Sequence, residues 1–157
     1  MIAWRLAHFD ELSLRELHDI YQARIGVFVV EQNCVFQDVD GADPVSWHLL
    51  GLGPRRHGDD EPALVAYCRL VPPGVKFAEP SIGRVLTTEA VRRTGAGREL
   101  VREAVARAQA LWPGAALRIG AQVYLDRFYG EFGFETCSAP YDEDGIMHIH
   151  MLRRGKE

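Results

Sequence analysis

The segment Arg92-Arg93-Thr94-Gly95-Ala96-Gly97-Arg98 separates two stretches of different period. Before it, Ile82 to Thr88 reads as a strand. After it, Leu100, Ala104, Ala108 and Leu111 recur at helical spacing from Gly97 to Trp112, and Pro113-Gly114 stops the helix. Leu117 to Ala121 then supplies another strand, so the loop sits inside a strand–helix–strand unit. Its composition suits an anion. Gly95 and Gly97 permit positive φ and close backbone approach, so several amides can point into one concavity. The helix N-terminus adds its partial positive charge, and Arg92, Arg93 and Arg98 add three full ones, which fits a pyrophosphate. A plain strand-to-helix turn would explain one Gly-x-Gly; the arginines beside it favour the anion. The segment has neither the Lys-Ser/Thr ending of a nucleoside-triphosphate loop nor the third glycine of a dinucleotide fingerprint.

The rest of the chain supplies a frame for that unit. Ile2, Trp4 and Leu6 alternate with Ala3 and Arg5 as a short strand. Ser13 opens a helix through a capping box with Glu16, and Leu14, Leu17, Tyr21, Ile25 and Phe28 fall on one face. The β-branched run Val27 to Val30 is expected to fray its end. Glu31 to Pro44 carries no period and reads as a structured loop. Trp47 to Leu52 and Ala63 to Val71 read as a hairpin whose long polar tip, Gly53 to Pro62, holds Gly58, Asp59 and Asp60. Tyr124 to Phe132 is a short helix ended by Gly133. Phe134 to Tyr141 and Ile146 to Leu152 flank the turn Asp142-Glu143-Asp144-Gly145. The order β-α-ββ-β-α-β-α-ββ predicts an α/β fold with a mixed sheet, in one domain over residues 1–157.

Composition narrows the function classes. A 157-residue chain that is 47% hydrophobic, with a formal net charge of −4, argues against a coiled coil or a disordered tail. It argues equally against a fold-wide basic face for nucleic acid. The apolar run Ala63 to Cys68 is too short to span a membrane, and Met1 to Asp10 lacks the apolar core of a signal peptide. The expectation is a soluble cytoplasmic protein with no membrane or nucleic-acid partner. Three cysteines without a C-x-x-C pair suggest neither a disulfide framework nor a zinc ribbon. His148 and His150 alternate on one strand, but a metal would need His48 or Cys34 as well, and no metal is expected. Asp38, Asp40, Gly41 and Asp43 fail the register of a calcium loop, because Phe36 and Trp47 fall where carboxylates are required. They read as a turn held by Asp side chains, in preference to an acidic rim that draws a cationic acceptor. Cys34 and Cys68 carry no local activating pattern.

Arg92-x-x-Gly95-x-Gly97 resembles the Q/R-x-x-G-x-G/A motif of the GNAT N-acetyltransferases, and Phe128-Tyr129-Gly130-Glu131-Phe132-Gly133-Phe134 resembles the family's second signature. Within that superfamily the chain looks most like the ElaA branch. The likeness rests on Val27 to Cys34, on Gln37-Asp38-x-Asp40-Gly41-x-Asp43, on Ile82-Gly83-Arg84-Val85 and on Glu143-Asp144-Gly145-Ile146-x-His148. It extends from about Trp4 to Met151. The resemblance implies a splayed sheet with acetyl-CoA as co-substrate in the resulting V. Arg92, Arg93, Thr94, Gly95, Ala96, Gly97 and Arg98 would grip the pyrophosphate. The strand Val85 to Thr87 would pair with the pantetheine arm and polarise the thioester carbonyl through its amides.

Tyr129 matches the tyrosine that in many relatives meets the cofactor and protonates the departing thiolate. A phenol titrates near 10 and a thiol near 8.5, so that transfer is close to balanced. The plainer alternative is a core aromatic among Phe128, Phe132 and Phe134. An amine nucleophile must also lose a proton; His148, Glu31 and Glu89 are the candidates for the base. The implied function is an N-acetyltransferase that moves an acetyl group to a primary amine by direct attack in a ternary complex. The acceptor is a small-molecule amine or a peptide or protein amine. Two alternatives stand beside it: acyl transfer like that of acyl-homoserine-lactone synthases, and a non-catalytic CoA-binding module. Oligomeric state is left open, a homodimer included.

Overall fold

Strand pairing in the computed structural model, which describes residues 1–55 and 61–156, divides eight strands between two sheets. Ala3–His8 (β1), Trp47–Arg55 (β2), Pro62–Val71 (β3) and Ser81–Thr87 (β4) pair antiparallel in that order. In the second sheet Ile146–Arg153 (β8) is central. It pairs with Leu117–Gln122 (β5) on one edge, and with Phe134–Thr136 (β6) and Tyr141–Glu143 (β7) on the other. Three α-helices cover them: Leu14–Arg24 (α1), Ala96–Leu111 (α2) and Asp126–Gly130 (α3). The α/β class agrees with the sequence reading, and so does the element order except for one added strand near the C-terminal end. The tip residues 56–60, with Gly58, Asp59 and Asp60, lie outside the described residues. Among the described residues, no helix is long and apolar enough to cross a membrane.

Helix α2 holds the two sheets together. Leu100, Val101, Ala104, Val105 and Ala108 pack on Leu49, Cys68, Leu70 and Ile82 of the first sheet and on Ile119, Ala121, Ile149 and Met151 of the second. Each such fully buried Leu or Ile contributes about 1.5–3 kcal/mol relative to exposure. On the opposite face of the first sheet, Ile20 of α1 meets Leu50, Tyr67 and Leu86, flanked by Tyr21, Val27 and Phe28.

The α1 face differs from the predicted one. Leu14 is 88% exposed and Ile25 is 41% exposed, whereas Ile20 and Arg24 are fully buried. The arginine is hidden because its partners lie in the following loop, which a hydrophobic count treats as a polar break. The capping box forms as expected: the Ser13 hydroxyl accepts from the Glu16 amide at 3.0 Å, and Glu16 accepts from the Ser13 amide at 2.9 Å. Beyond α1 the chain does not fray. Ile25–Glu31 continues as a π-helix, with the Gln32 amide bonded to the Val27 carbonyl at 3.3 Å. The wider turn relieves the crowding of successive β-branched side chains.

The predicted strand Phe134 to Tyr141 is two short ones. Pro140 has no amide to offer, and the Ser138 hydroxyl accepts the His150 amide at 2.8 Å where a strand neighbour would otherwise do so. Between β7 and β8 the loop tightens to Asp144-Gly145, with φ of 52° and 86°, the arrangement a two-residue hairpin requires.

Two backbone features near the centre set β4 apart from the other strands. β4 and β5 do not pair along their lengths; one backbone bond, Arg118 amide to Pro80 carbonyl at 3.1 Å, joins them at their starts. From there both facing edges are left without a strand partner towards Thr87 and Gln122. The second feature is a bulge in β4. Tyr67 faces Leu86 and Arg69 faces Gly83, so Arg84 and Val85 stand together against Cys68, with Arg84 at φ 51°.

Candidate active site

The loop expected to hold an anion, Arg92 to Arg98, follows the end of β4. A 3-10 turn, Glu89–Val91, turns the chain, and Gly95 at φ 87° serves as the N-cap of α2, which starts at Ala96, one residue ahead of the predicted start. No atom outside its neighbours lies within 4 Å of where a Gly95 Cβ would stand, so glycine is needed there for its conformation and leaves open space. The first backbone bond into α2 runs from the Glu99 amide to the Gly95 carbonyl at 3.1 Å. The Gly97 and Arg98 amides donate to no acceptor among the described residues. They form the unsatisfied, positive end of the helix. The Trp4 indole N–H donates to Glu99 at 2.8 Å and ties this first turn to β1.

The arginines are less free than the sequence suggests. Arg92 donates to the Thr87 carbonyl at 3.2 Å and to Glu31 at 2.8 Å. Arg98 makes a two-point contact with Glu131, 2.9 and 3.1 Å, and lies over the Phe128 ring. Both pairs are exposed, so they can exchange carboxylate for phosphate at small cost. Arg93 is exposed at φ 66°, and the Thr94 hydroxyl is bonded to the Val91 carbonyl.

Tyr129 lies on α3, 8% exposed, between the rings of Phe128 and Phe134 at 5.1 and 6.1 Å. Its hydroxyl bonds to no protein group among the described residues. Burial pushes the phenol well above its ordinary value near 10, and Cys68 and Tyr124 push the same way. The balance expected from free phenol and free thiol therefore does not hold at this position.

His148 is placed by β8 opposite Gln122, and across from Tyr141 on β7, whose ring stacks on it at 6.0 Å. Its Nδ1–H donates to the Ile146 carbonyl at 2.8 Å, which leaves Nε2 as the basic nitrogen, 3.5 Å from Glu143. Glu31 is committed to Arg92. Glu89 is exposed on the turn leading into the loop.

Comparison with known proteins gives this arrangement a family. A family model described as "Acetyltransferase (GNAT) domain" matches residues 64–154, from β3 to the end of β8. The chain belongs to the GNAT acetyltransferase family. The ElaA protein of Escherichia coli is 40% identical over 98% of this chain and 97% of its own, and its crystal structure aligns with a TM-score of 0.86. A Synechocystis protein is 44% identical over 98% of this chain and 96% of its own. An acyl-CoA N-acyltransferase of Pseudomonas aeruginosa, 37% identical over 98% of this chain and 99% of its own, aligns with a TM-score of 0.88. A CoA-dependent acyl-homoserine lactone synthase, at 14% identity and TM-score 0.76, shares the fold alone.

On this GNAT frame the acidic loop takes a role the sequence reading missed. Asp43 is fully buried and accepts from Arg24 at 2.6 Å and from Arg69 at 2.9 Å. Asp38 accepts from Arg24 Nε at 3.0 Å. Asp40 accepts from Arg69 Nη1 and Nη2, at 2.6 and 3.0 Å, and from Lys76 at 3.0 Å. Burial works against the Asp43 charge, but the bond from Arg24 and the charges of both arginines hold its carboxyl below the usual range. Burial opposes the Asp40 charge too, but the bonds from Arg69 and Lys76 hold its carboxyl well below the usual range. The alternative of an acidic rim for a cationic acceptor is thus overturned: these carboxylates are neutralised inside the fold. They also hold their own turn, as expected, through the Ala42 amide on Asp40 and the Asp40 amide on Asp43. Arg69, a lone charge within the apolar run of β3, was the available signal for the network.

The other groups set aside in the sequence reading are also accounted for. Among the described residues no cluster of three or more His, Cys, Asp or Glu is arranged to hold a metal. His48 is buried between the Tyr67 hydroxyl at 2.7 Å and the Asp43 carbonyl at 3.1 Å. The Cys34 thiol donates to the Asp144 carbonyl at 3.4 Å and ties the acidic loop to the β7–β8 turn. Cys68 is fully buried, which pushes its thiol far up and makes it inert.

Proposed function

We propose that the protein is an acetyl-CoA-dependent N-acetyltransferase acting on a primary amine, free or carried on a peptide. The observation that carries this reading is the continuity of an unpaired strand edge with a helix N-terminus. β4 is open on the side facing β5, and it leads within a few residues to Gly95 and to the unbonded amides of Gly97 and Arg98. An extended arm ending in a pyrophosphate fits that geometry: the arm pairs with Val85 to Thr87, and the phosphates meet the loop Arg92 to Arg98. Arg92 and Arg98 would turn from Glu31 and Glu131 to the phosphates.

Acetyl-CoA supplies the acyl group as a thioester. The neutral amine attacks its carbonyl carbon, forming the C–N bond, and charge develops on the carbonyl oxygen beside the Val85 amide at the bulge. The C–S bond then breaks and the thiolate takes a proton. Tyr129 is our donor. Its phenol is raised by burial, so donation to a free thiolate would be uphill; a thiolate emerging in the same apolar surroundings is raised as well, which restores the balance. The amine proton leaves through His148 Nε2, whose orientation is fixed by the Ile146 carbonyl, or through water beside it. Glu31 lies against Arg92 at the pyrophosphate end of this arrangement, which makes it a poorer base than His148.

The test is incubation with isotope-labelled acetyl-CoA and pools of small amines and peptides, read by mass spectrometry. Labelled N-acetyl products with stoichiometric free CoA support the reading. Release of methylthioadenosine on addition of S-adenosylmethionine would instead mark synthase chemistry, and tight acetyl-CoA binding without any product would mark a binding module.

A further inference from the structure

The ionic network behind the β4 bulge is one negative charge short. Among the described residues Arg24, Arg69, Arg84 and Lys76 face only Asp38, Asp40 and Asp43. The shortage falls on Arg84. Arg24 and Arg69 each hold two carboxylates through well-formed bonds, and both are held firmly protonated. Arg84 has no such partner. Its Nε lies 2.9 Å from Asp38 Oδ1 but without the alignment of a hydrogen bond, and both atoms are otherwise unpartnered. Its Nη2 rests on the Asp38 carbonyl at 3.0 Å and reaches Asp40 only at 3.4 Å. Its Nη1 bonds to nothing among the described residues, and the side chain is 22% exposed. Burial, with Arg69 and Arg24 close by, destabilises this cation, the reverse of its two neighbours.

The backbone adds a second, independent observation. Arg84 is a non-glycine residue at φ 51° within a strand, in a bulge that sets it and Val85 against a single partner. Such strain is retained where the fold over-determines it, and a bulge of this kind re-aims a side chain. Here it sends the guanidinium over the Phe36 ring, 5.4 Å from its centroid, towards the acidic loop and away from the α2 side of the sheet. The phosphates of a CoA donor do not fill this position. Thr87, where β4 meets the anion loop, is three residues on, about 10 Å along the strand, and the loop lies beyond it.

We infer that Arg84 binds a carboxylate of the acceptor, so that the acceptor is an amino-carboxylate and not a simple amine. The inference rests on the acetyl-transfer reading for the place of the thioester, next to Val85. A guanidinium with a free edge beside that carbon suits a planar carboxylate borne close to the attacking amine. The incoming negative charge completes the network.

The test compares glycine, phenylalanine, lysine and glutamate with the corresponding carboxamides as acceptors, in the parent and in Arg84→Gln. Loss of Arg84 leaves Arg24, Arg69 and Lys76 against three carboxylates, a balanced set, so the variant should fold. Arg84→Lys keeps the charge if it does not. The expected result is at least a tenfold higher kcat/KM for one amino acid over its amide in the parent. That preference collapses in Arg84→Gln through KM, with acetyl-CoA affinity unchanged. Equal use of acid and amide by the parent, or a preference that survives Arg84→Gln, overturns the inference while leaving acetyl transfer standing. If no amine is acetylated, the acetyl-transfer reading fails. Calorimetry of CoA-loaded protein with the N-acetyl amino acids and their amides then decides the anion site alone: tighter binding of the acids, lost in Arg84→Gln, supports it, and no difference overturns it.

Discussion

Replacing Asp43 by Asn should unfold the acidic loop from within. Oδ1 of Asp43 takes Arg24 at 2.6 Å and Arg69 at 2.9 Å, while Oδ2 faces the Asp40 amide at 3.4 Å. Asn can keep its oxygen towards the two guanidinium groups, but its NH2 then meets the Asp40 N–H, donor against donor. The larger loss is electrostatic. A network already one carboxylate short would hold two uncompensated cations, and Arg24 and Arg69 have side chains 0% and 2% exposed. Breaking a buried pair in this way costs about 3–5 kcal/mol. For a chain of this length that lowers Tm by roughly 6–20 °C, and it lowers the urea midpoint by about 1 M or more. The loss should persist in high salt, because buried pairs are screened little. Urea denaturation of parent and variant, with and without added salt, reads this directly. A solvated acidic rim would give a change within about 0.5 kcal/mol. A loss below about 1 kcal/mol, or one abolished by salt, would refute the buried network.

Gly95→Asp should fold with a modest loss, since nothing crowds the position and only φ 87° is strained, yet weaken acetyl-CoA binding at least tenfold, about 1.4 kcal/mol, by calorimetry. Tyr129→Phe should leave acetyl-CoA affinity intact and lower turnover of a validated acceptor by about ten- to a thousandfold; because burial raises the phenol, the parent should show no loss of rate from Tyr129 ionisation up to pH 9. Stability should fall as pH drops below about 6.5. Burial holds the His48 pKa down, so the folded protein refuses a proton that the unfolded chain accepts, a slope of up to about 1.36 kcal/mol per pH unit until the folded pKa is reached. Urea curves at pH 7.5 and 5.5 test that, and equal midpoints would contradict it.

Legibility in the sequence followed the range of the interactions. The strand-to-helix turn at Gly95, the Ser13–Glu16 capping box and the α2 stripe depend on residues a few positions apart, and all were readable, whereas α3 ends at Gly130, short of the Gly133 expected to close it. The network of Arg24, Arg69 and Arg84 with the acidic loop was not, because each pair joins segments 14 to 46 residues apart and each arginine counts as a polar interruption. The β4 bulge left one faint trace, Gly83 inside the strand directly before Arg84, and the strand pattern otherwise runs through it. The pairing of Arg92 with Glu31 and of Arg98 with Glu131 is a matter of tertiary approach, so the loop looked more cationic than it is. Burial of Tyr129 likewise changes its chemistry by an amount that the motif alone does not carry.

The central claim is that acetyl-CoA lies along β4 and ends on the first turn of α2. Amide hydrogen exchange with and without acetyl-CoA tests it residue by residue. Protection is expected over Val85 to Thr87 and at Gly97 and Arg98, whose amides are unbonded in the free protein, with little change in β6 and β7. Protection elsewhere with none in these two segments would contradict the account.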